Sequence, residues 1–232
     1  MERPLTFTQG CRDGLPIFIG YFPTAIAFGL VCRDLGLRSW QAILFSVSNF
    51  AGSGQFLAAS LMGSGALLAE LFISVLLINM RYLFMGAELS RKLDANLAAW
   101  QRPLIAFGTT DEVFSVAVLN PSPLPGRYLF ALEGTSFLGW VSGTATGVLI
   151  GTILPLRLQL AVGVTLYALF TVLLTQQVRQ KGVMALAIAA FSAAIHTILT
   201  GILSLPVGWS FVISMLSAAF IGALIIDEET IG

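Results

Sequence analysis

Eight long apolar runs constrain the fold of this chain more than any other feature of its sequence. They lie near residues 14–32, 40–62, 65–86, 103–119, 128–151, 155–175, 182–203 and 206–226. A membrane-spanning helix needs about 20 mainly apolar residues, which runs of this length supply. Because the backbone must hydrogen-bond internally at membrane depth, the runs predict helices. The predicted fold is therefore all-α, that of a polytopic integral membrane protein.

The low charge content supports this fold and narrows the range of partners. Of the 232 residues, 10% are charged and 56% are hydrophobic, whereas a soluble domain carries about 25% charged residues. The net charge is zero and no basic block is present, so we expect the lipid bilayer as a partner and no nucleic acid. Since every connection is short, we expect residues 1–232 to form a single transmembrane domain.

The first apolar run contains residues that disturb a straight helix. It reads GLPIFIGYFPTAIAFG and includes Pro16 and Pro23. Proline removes a backbone hydrogen bond inside a helix and kinks or breaks it. The run forms either a kinked span or a broken, re-entrant segment, and the distribution of positive charge favours the second. We therefore expect about seven transmembrane helices plus a broken or re-entrant N-terminal segment.

The second run carries more polar residues than a lipid-facing helix tolerates, in the stretch SVSNFAGSGQFLAAS. Ser53 lies between Gly52 and Gly54, and glycine permits unusual dihedral angles and close approach of a ligand. Discontinuous membrane helices often bind substrates through freed backbone groups. We predict that the helix opens at these three residues and binds a substrate together with Asn49 and Gln55. The alternative is that the polar side chains only hydrogen-bond to neighbouring helices.

Charged residues inside the other runs are candidates for an ion or substrate pathway, because charges within a bilayer are costly. Asp111 is the first choice for proton coupling and Glu112 the second, since a buried carboxylate can take up a proton near neutral pH. The alternative for Asp111 is a structural ion pair with Arg81. Arg81 either binds a substrate carboxylate or extends to the membrane interface. Glu133 is either an interfacial carboxylate or part of a cavity.

One enzymatic alternative arises from the serine between glycines and the single histidine, His196. Intramembrane serine proteases use a Gly-x-Ser-Gly turn with a distant histidine, but Ala51 stands at the position of the first glycine. A nucleophile also needs a base within hydrogen-bonding reach, and nothing in the sequence brings His196 to Ser53. We therefore expect no enzyme. Metal-ligand spacing and a P-loop are absent from the sequence, so we expect no metal and no cofactor.

Glycines at every fourth position of the fifth run predict close helix packing. They are Gly139, Gly143, Gly147 and Gly151. Small residues at this spacing let two membrane helices approach each other closely. The neighbouring helix belongs either to this chain or to a partner subunit.

Four motifs together resemble the AzlC family of branched-chain amino acid permeases. They are GLPIFIGYFPTAIAFG at 14–29, FAGSGQF at 50–56, NMRYLFMG at 79–86 and TDEVF at 110–114. The motifs occur in the family's order and cover the first half of the chain, while the second half is similar mainly in length and hydropathy. Tyr82 stands where many members of the family carry a histidine.

This resemblance implies a multi-pass protein of the bacterial inner membrane that exports branched-chain or similar apolar amino acids. It also implies a partner, a small AzlD-like membrane subunit. We expect secondary transport coupled to protons, with Phe28 and Phe56 selecting the substrate side chain and a first helix broken near Pro23 forming the opposite wall. The alternatives are a carrier or channel for another small solute and a scaffold subunit that does not itself transport.

Overall fold

The computed structural model describes residues 5–121, 123–151 and 182–225, together with single positions 153, 155, 157, 171, 175, 178 and 179. Throughout these residues the secondary structure is helical, apart from an isolated bridge between Leu93 and Leu124. The all-α prediction is therefore confirmed. The predicted span near 155–175 lies largely outside the described residues.

Short connections join the helices within residues 7–150 and within residues 183–225. They are α1 (Phe7–Asp34), α2 (Ser39–Ser48), α3 (Gly52–Gly63), α4 (Leu68–Asn79), α5 (Arg81–Lys92), α6 (Gln101–Gly108), α7 (Asp111–Val118), α8 (Gly126–Ile150), α9 (Val183–Gly201) and α10 (Val207–Ile225). In the described part of the chain, three stretches are long and apolar enough to cross a bilayer: Phe7–Asp34, Leu68–Lys92 and Val183–Gly201. The total number of spans stays a prediction.

The chain divides into two compact units. The first comprises Met1–Phe56 and Ile78–Leu166, and the second comprises Leu57–Leu77 and Tyr167–Gly232. In the second unit, α9 packs against α10.

Helix α1 is continuous over 28 residues although Pro16 and Pro23 lie inside it. The expectation of a broken or re-entrant first segment is therefore wrong. Serine and threonine side chains and neighbouring helices can satisfy backbone groups near a proline. Here the Thr24 hydroxyl donates to the Gly20 carbonyl oxygen at 3.1 Å. At about 1.5 Å per residue the helix is roughly 42 Å long, more than the hydrocarbon core of a bilayer requires.

Glycines allow α1 and α8 to pack backbone against backbone. A Cβ at Gly139 would come within 2.8 Å of the Phe18 Cα atom, which is closer than real atoms approach. Gly143 and Gly147 face backbone carbonyls further along α1, and Gly151 lies against the end of that helix. The glycines at every fourth position therefore face α1 of this chain. This pair of helices forms the framework of the first unit.

In the described part of the apolar runs, two breaks and one shorter irregularity interrupt the helices. Residues 49–51 separate α2 from α3, and residues 109–110 separate α6 from α7. Met80 separates α4 from α5 but keeps helical dihedral angles. The break in the second run agrees with the predicted discontinuity, although it precedes the glycines, which begin α3. The break in the fourth run was not predicted.

Candidate functional site

Gln55 holds the break between α2 and α3. Its amide nitrogen donates to the Phe45 carbonyl oxygen at 3.1 Å and to the Asn49 carbonyl oxygen, and its Oε1 accepts from Trp140 Nε1 at 2.9 Å. Carbonyl groups at the end of a helix lack intrahelical partners, and this side chain supplies a donor for the Asn49 carbonyl. The Phe45 carbonyl also accepts from the Asn49 N–H. Gln55 is completely buried. Its polar groups therefore stabilise the break. From the sequence we had predicted that they bind a substrate.

The glycines that begin α3 are required for close packing. A Cβ at Gly52 would come within 2.8 Å of the Trp140 ring, and one at Gly54 within 3.0 Å of the Asn79 amide. The backbone at both positions has adopted helical geometry instead of opening. The first turn of α3 consequently presents its amide groups beside the break, because the first N–H groups of a helix have no intrahelical acceptor.

Arg81, the first residue of α5, connects two of the interrupted helices. Its Nη2 donates to Ser53 Oγ in the first turn of α3 at 2.5 Å. Its Nη1 forms an ion pair with Asp111 Oδ2, at the start of α7, with a separation of 2.8 Å. The Arg81–Asp111 ion pair that the sequence allowed as an alternative is confirmed. Both side chains keep partial solvent exposure, 33% for Arg81 and 28% for Asp111.

Tyr21 connects α1 to the break between α6 and α7. Its hydroxyl hydrogen-bonds to Thr110 Oγ1 at 2.8 Å and donates to Glu112 Oε2. Thr110 is also the N-cap of α7, where its side chain accepts from the Val113 N–H. Asp111 and Glu112 thus occupy the first turn of α7, as expected for acidic residues near a helix N-terminus. Each of the two carboxylates already has a partner in the first unit.

A cavity of about 190 Å³ lies between the interrupted helices. Its lining residues are Ser48, Asn49, Phe50, Ala51, Asn79, Tyr82, Ala106, Phe107 and Thr109. At about 30 Å³ per water molecule, this volume corresponds to roughly six waters. The polar lining groups come from both breaks and from the junction of α4 and α5, while Phe50 and Phe107 provide apolar walls. Within the described residues, Asn79 Oδ1 is buried without a hydrogen-bond partner.

Only some of the predicted substrate-binding residues reach this cavity. Asn49 lines it, whereas Pro23 lies in the interior of α1. Phe28 and Phe56 are buried in an aromatic cluster with Trp140, their ring centroids 5.4 Å apart. Neither ring is among the residues that line the cavity. The apolar cavity walls are supplied by Phe50 and Phe107 instead.

Several residues of the cavity and of the breaks beside it were not predicted from the sequence, although a helix-start pattern marks one of the breaks. Asn79, Tyr82 and Thr109 line the cavity without having been predicted. A threonine followed by acidic residues is a typical start of a helix, and Thr110 precedes Asp111 in this way. That signal marks the break between α6 and α7.

Glu133 lies inside the first unit and not at its surface. It is 4% exposed, and it packs against Gly108, where an added Cβ would come within 2.6 Å of the carboxyl group. Its Oε1 has no hydrogen-bond partner among the described residues. This burial favours a place within the protein over the interfacial alternative.

The contacts of Ser53 do not resemble those of a catalytic serine. The residue that contacts its hydroxyl is Arg81, whose guanidinium donates hydrogen bonds and cannot accept a proton. A nucleophilic serine needs a base in that position. The described residues also contain no group of three histidine, cysteine, aspartate or glutamate side chains placed to hold a metal ion.

Comparisons with known proteins agree with the membrane character of the chain. The family model described as AzlC protein matches residues 16–154, which is more than half of the chain. The inner membrane protein YgaZ of Escherichia coli is 33% identical over 184 residues, covering 76% of this chain and 75% of that protein. An uncharacterized membrane protein of Archaeoglobus fulgidus is 35% identical over 187 residues, covering 80% and 82%.

A further relative carries a functional name. The branched-chain amino acid transport protein AzlC of Bacillus subtilis is 31% identical over 168 residues, covering 70% of this chain and 64% of that protein. No solved structure matches the chain significantly. Together with the helices that can span a bilayer, these matches confirm a multi-pass protein of the cell membrane.

Proposed function

Because the chain belongs to the AzlC family, we propose that it exports branched-chain or similar apolar amino acids across the bacterial inner membrane. In this proposal it is the large subunit of a proton-coupled secondary transporter and works with a small AzlD-like membrane subunit. The name of the Bacillus subtilis relative supports an amino acid as the substrate. The interrupted helices support a transport role, since discontinuous helices commonly form substrate sites at the bilayer midplane.

The observation that carries the proposal is the cavity between the interrupted helices. An amino acid brings an ammonium group, a carboxylate and a side chain into one small volume. Asn49 and Asn79 offer amide groups to the charged end, and Phe50 and Phe107 offer apolar surface to the side chain. This combination of a few placed polar groups with apolar walls is typical of small-molecule sites.

The Arg81–Asp111 pair provides the opposite charges that a zwitterion needs. Arg81 binds the substrate carboxylate, because a guanidinium matches a carboxylate in planar, paired hydrogen bonds. Its Nε has no hydrogen-bond partner among the described residues and is free to donate. Asp111 binds the ammonium group. The substrate thus replaces one internal ion pair with two, so that no charge is left unpaired during binding.

The first turn of α3 adds a second attraction for the carboxylate. The N–H groups of Gly52, Ser53 and Gly54 lack intrahelical acceptors, and the start of a helix favours negative charge. Arg81 donates to Ser53 Oγ, so the guanidinium lies next to this turn. In the proposal Gln55 does not contact the substrate but stabilises the backbone conformation of the break between α2 and α3.

Reconstitution tests the proposed function. Proteoliposomes that contain the protein, with or without the small subunit, are supplied with labelled leucine under an imposed pH gradient. We expect accumulation of leucine that collapses when the gradient is removed. If correctly inserted protein together with its small subunit moves none of the twenty amino acids, the proposed function is overturned.

The same assay tests the role of Arg81. Arg81→Lys keeps the positive charge but loses the planar pair of donors, so we expect leucine transport to fall at least about tenfold. Arg91→Lys is the matched control, because Arg91 lies on the same helix with 81% of its side chain exposed. Equal transport by both variants would remove Arg81 from the substrate site.

A further inference from the structure

Glu133 is a buried carboxyl group with no counter-charge. The described part of the chain provides no hydrogen-bond partner for its Oε1, and the residue is 4% exposed. The carboxyl group rests on the backbone of Gly108, the last residue of α6. An ionised carboxylate without a partner is among the most costly groups to bury. The neutral acid avoids this cost.

The charged groups on the surrounding helices do not offset the cost of burying an ionised Glu133. Helices α1, α2, α6 and α7 pack against α8. Along this part of α8 their charged or titratable side chains are Cys11, Arg12, Asp13 and Tyr21 on α1, Arg102 on α6, and Asp111 and Glu112 on α7, with none on α2. Arg12 and Arg102 are exposed, and Asp13, Tyr21, Asp111 and Glu112 are each bonded to a different residue. In the described residues none of them bonds to Glu133.

The position of Glu133 connects it to the cavity wall. Gly108, on which it rests, is followed directly by Thr109, and residues 106, 107 and 109 line the cavity. A neutral carboxyl can pack against the end of α6. An ionised one is stable only if this segment moves so that water or a cation reaches it. The protonation state of Glu133 and the conformation of the cavity wall are therefore coupled.

We propose that Glu133 is the proton carrier of this transporter, a role that rests on the proposed function. The carboxyl group takes a proton from water on one side of the membrane and later releases it to water on the other side. One O–H bond forms and the same bond breaks, so that each cycle moves one proton and consumes nothing else. The end of α6 changes position between the two states. Asp111, paired with Arg81, keeps its charge and serves the substrate.

Transport measurements test the coupling. In proteoliposomes, Glu133→Gln keeps the neutral shape and removes the proton. We expect the variant to lose gradient-driven leucine accumulation by at least tenfold, while leucine counterflow, which needs no net proton movement, stays within about threefold of the native rate. Glu88→Gln removes a half-exposed carboxylate on α5 and serves as the matched control. Native accumulation by Glu133→Gln, or equal loss of both activities, overturns the proposal.

A spectroscopic measurement separates this proposal from the function on which it rests. Infrared spectra of the purified protein at neutral pH should contain the C=O band of a protonated carboxylic acid. Glu133→Gln should lower its intensity to what Glu70 contributes, the other buried carboxyl group of the described residues with an unpartnered oxygen. Glu88→Gln should leave the intensity unchanged. A spectrum without such a band, or a band whose intensity is unchanged in Glu133→Gln, overturns the assignment even if leucine is transported. If the band behaves as expected but the native protein transports no amino acid, only the proposed function fails.

Discussion

At the scale of single residues, a buried polar side chain is informative only once its partners are known. Gln55 satisfies two backbone carbonyls at the break and accepts a bond from Trp140, which lies 85 residues away in sequence. A polar residue in an apolar run predicts that partners exist, because unpaired polar groups are costly in lipid. It does not predict whether the partner is a substrate or the protein. For Gln55 the protein supplies the partners.

Replacing Gln55 by leucine should destabilise the first unit. The substitution leaves the Asn49 carbonyl and the Trp140 indole without the partner that Gln55 provides, at about 1–3 kcal/mol for each buried group. The Phe45 carbonyl keeps the Asn49 N–H as its donor. We expect the free energy of unfolding in detergent to fall by at least about 2 kcal/mol. Gln41→Leu is the control, since Gln41 accepts a single exposed bond from the Arg38 N–H. Similar losses in the two variants would contradict the role of Gln55.

At the scale of helices, packing decides whether a helix continues or breaks. Helix α1 stays continuous through Pro16 and Pro23, while the second and fourth runs break with no proline at the interruption. The sequence predicted helices, the discontinuity of the second run and the glycine packing of α8, because these depend on local composition and spacing. It did not predict the continuity of α1, which follows from backbone packing along α8 and from neighbouring side chains.

Alanine substitutions at a packed and at an unpacked glycine of α8 should distinguish the effect of helix packing on stability from the effect of helix propensity. At Gly143 an added Cβ would meet the Phe22 carbonyl and lie 2.7 Å from the Ala25 Cβ atom, and overpacking of this kind costs about 1–3 kcal/mol. At Gly134 nothing lies within 4 Å, so alanine should stabilise the helix by about 0.5–1 kcal/mol. Thermal unfolding of the two variants in detergent measures the difference.

The comparison is specific because the two alanine substitutions are expected to change the stability of the protein in opposite directions. If Gly143→Ala were as stable as Gly134→Ala, the close approach of α1 and α8 would be absent in the membrane-extracted protein. Lowered stability of both variants would instead mean that α8 tolerates no change anywhere, which the open space at Gly134 argues against.

At the scale of the whole molecule, the continuity of α1 changes the expected topology. A re-entrant first segment would return both of its ends to one side of the membrane. A helix of 28 residues, about 42 Å long, is long enough to place its ends on opposite sides. The two ends of α1 are therefore expected on opposite sides of the membrane, whereas the re-entrant segment favoured by the charge distribution would have placed them on one side.

Cysteine labelling decides between these topologies. In a background with Cys11→Ser and Cys32→Ser, single cysteines are placed at Thr8 and Asp34, which are exposed near the two ends of α1. We expect a membrane-impermeant maleimide to label Thr8→Cys and Asp34→Cys from opposite sides of oriented vesicles. Glu88→Cys, close to the basic end of α5, marks the cytoplasmic side. Labelling of both α1 positions from one side would show that this helix does not cross the membrane.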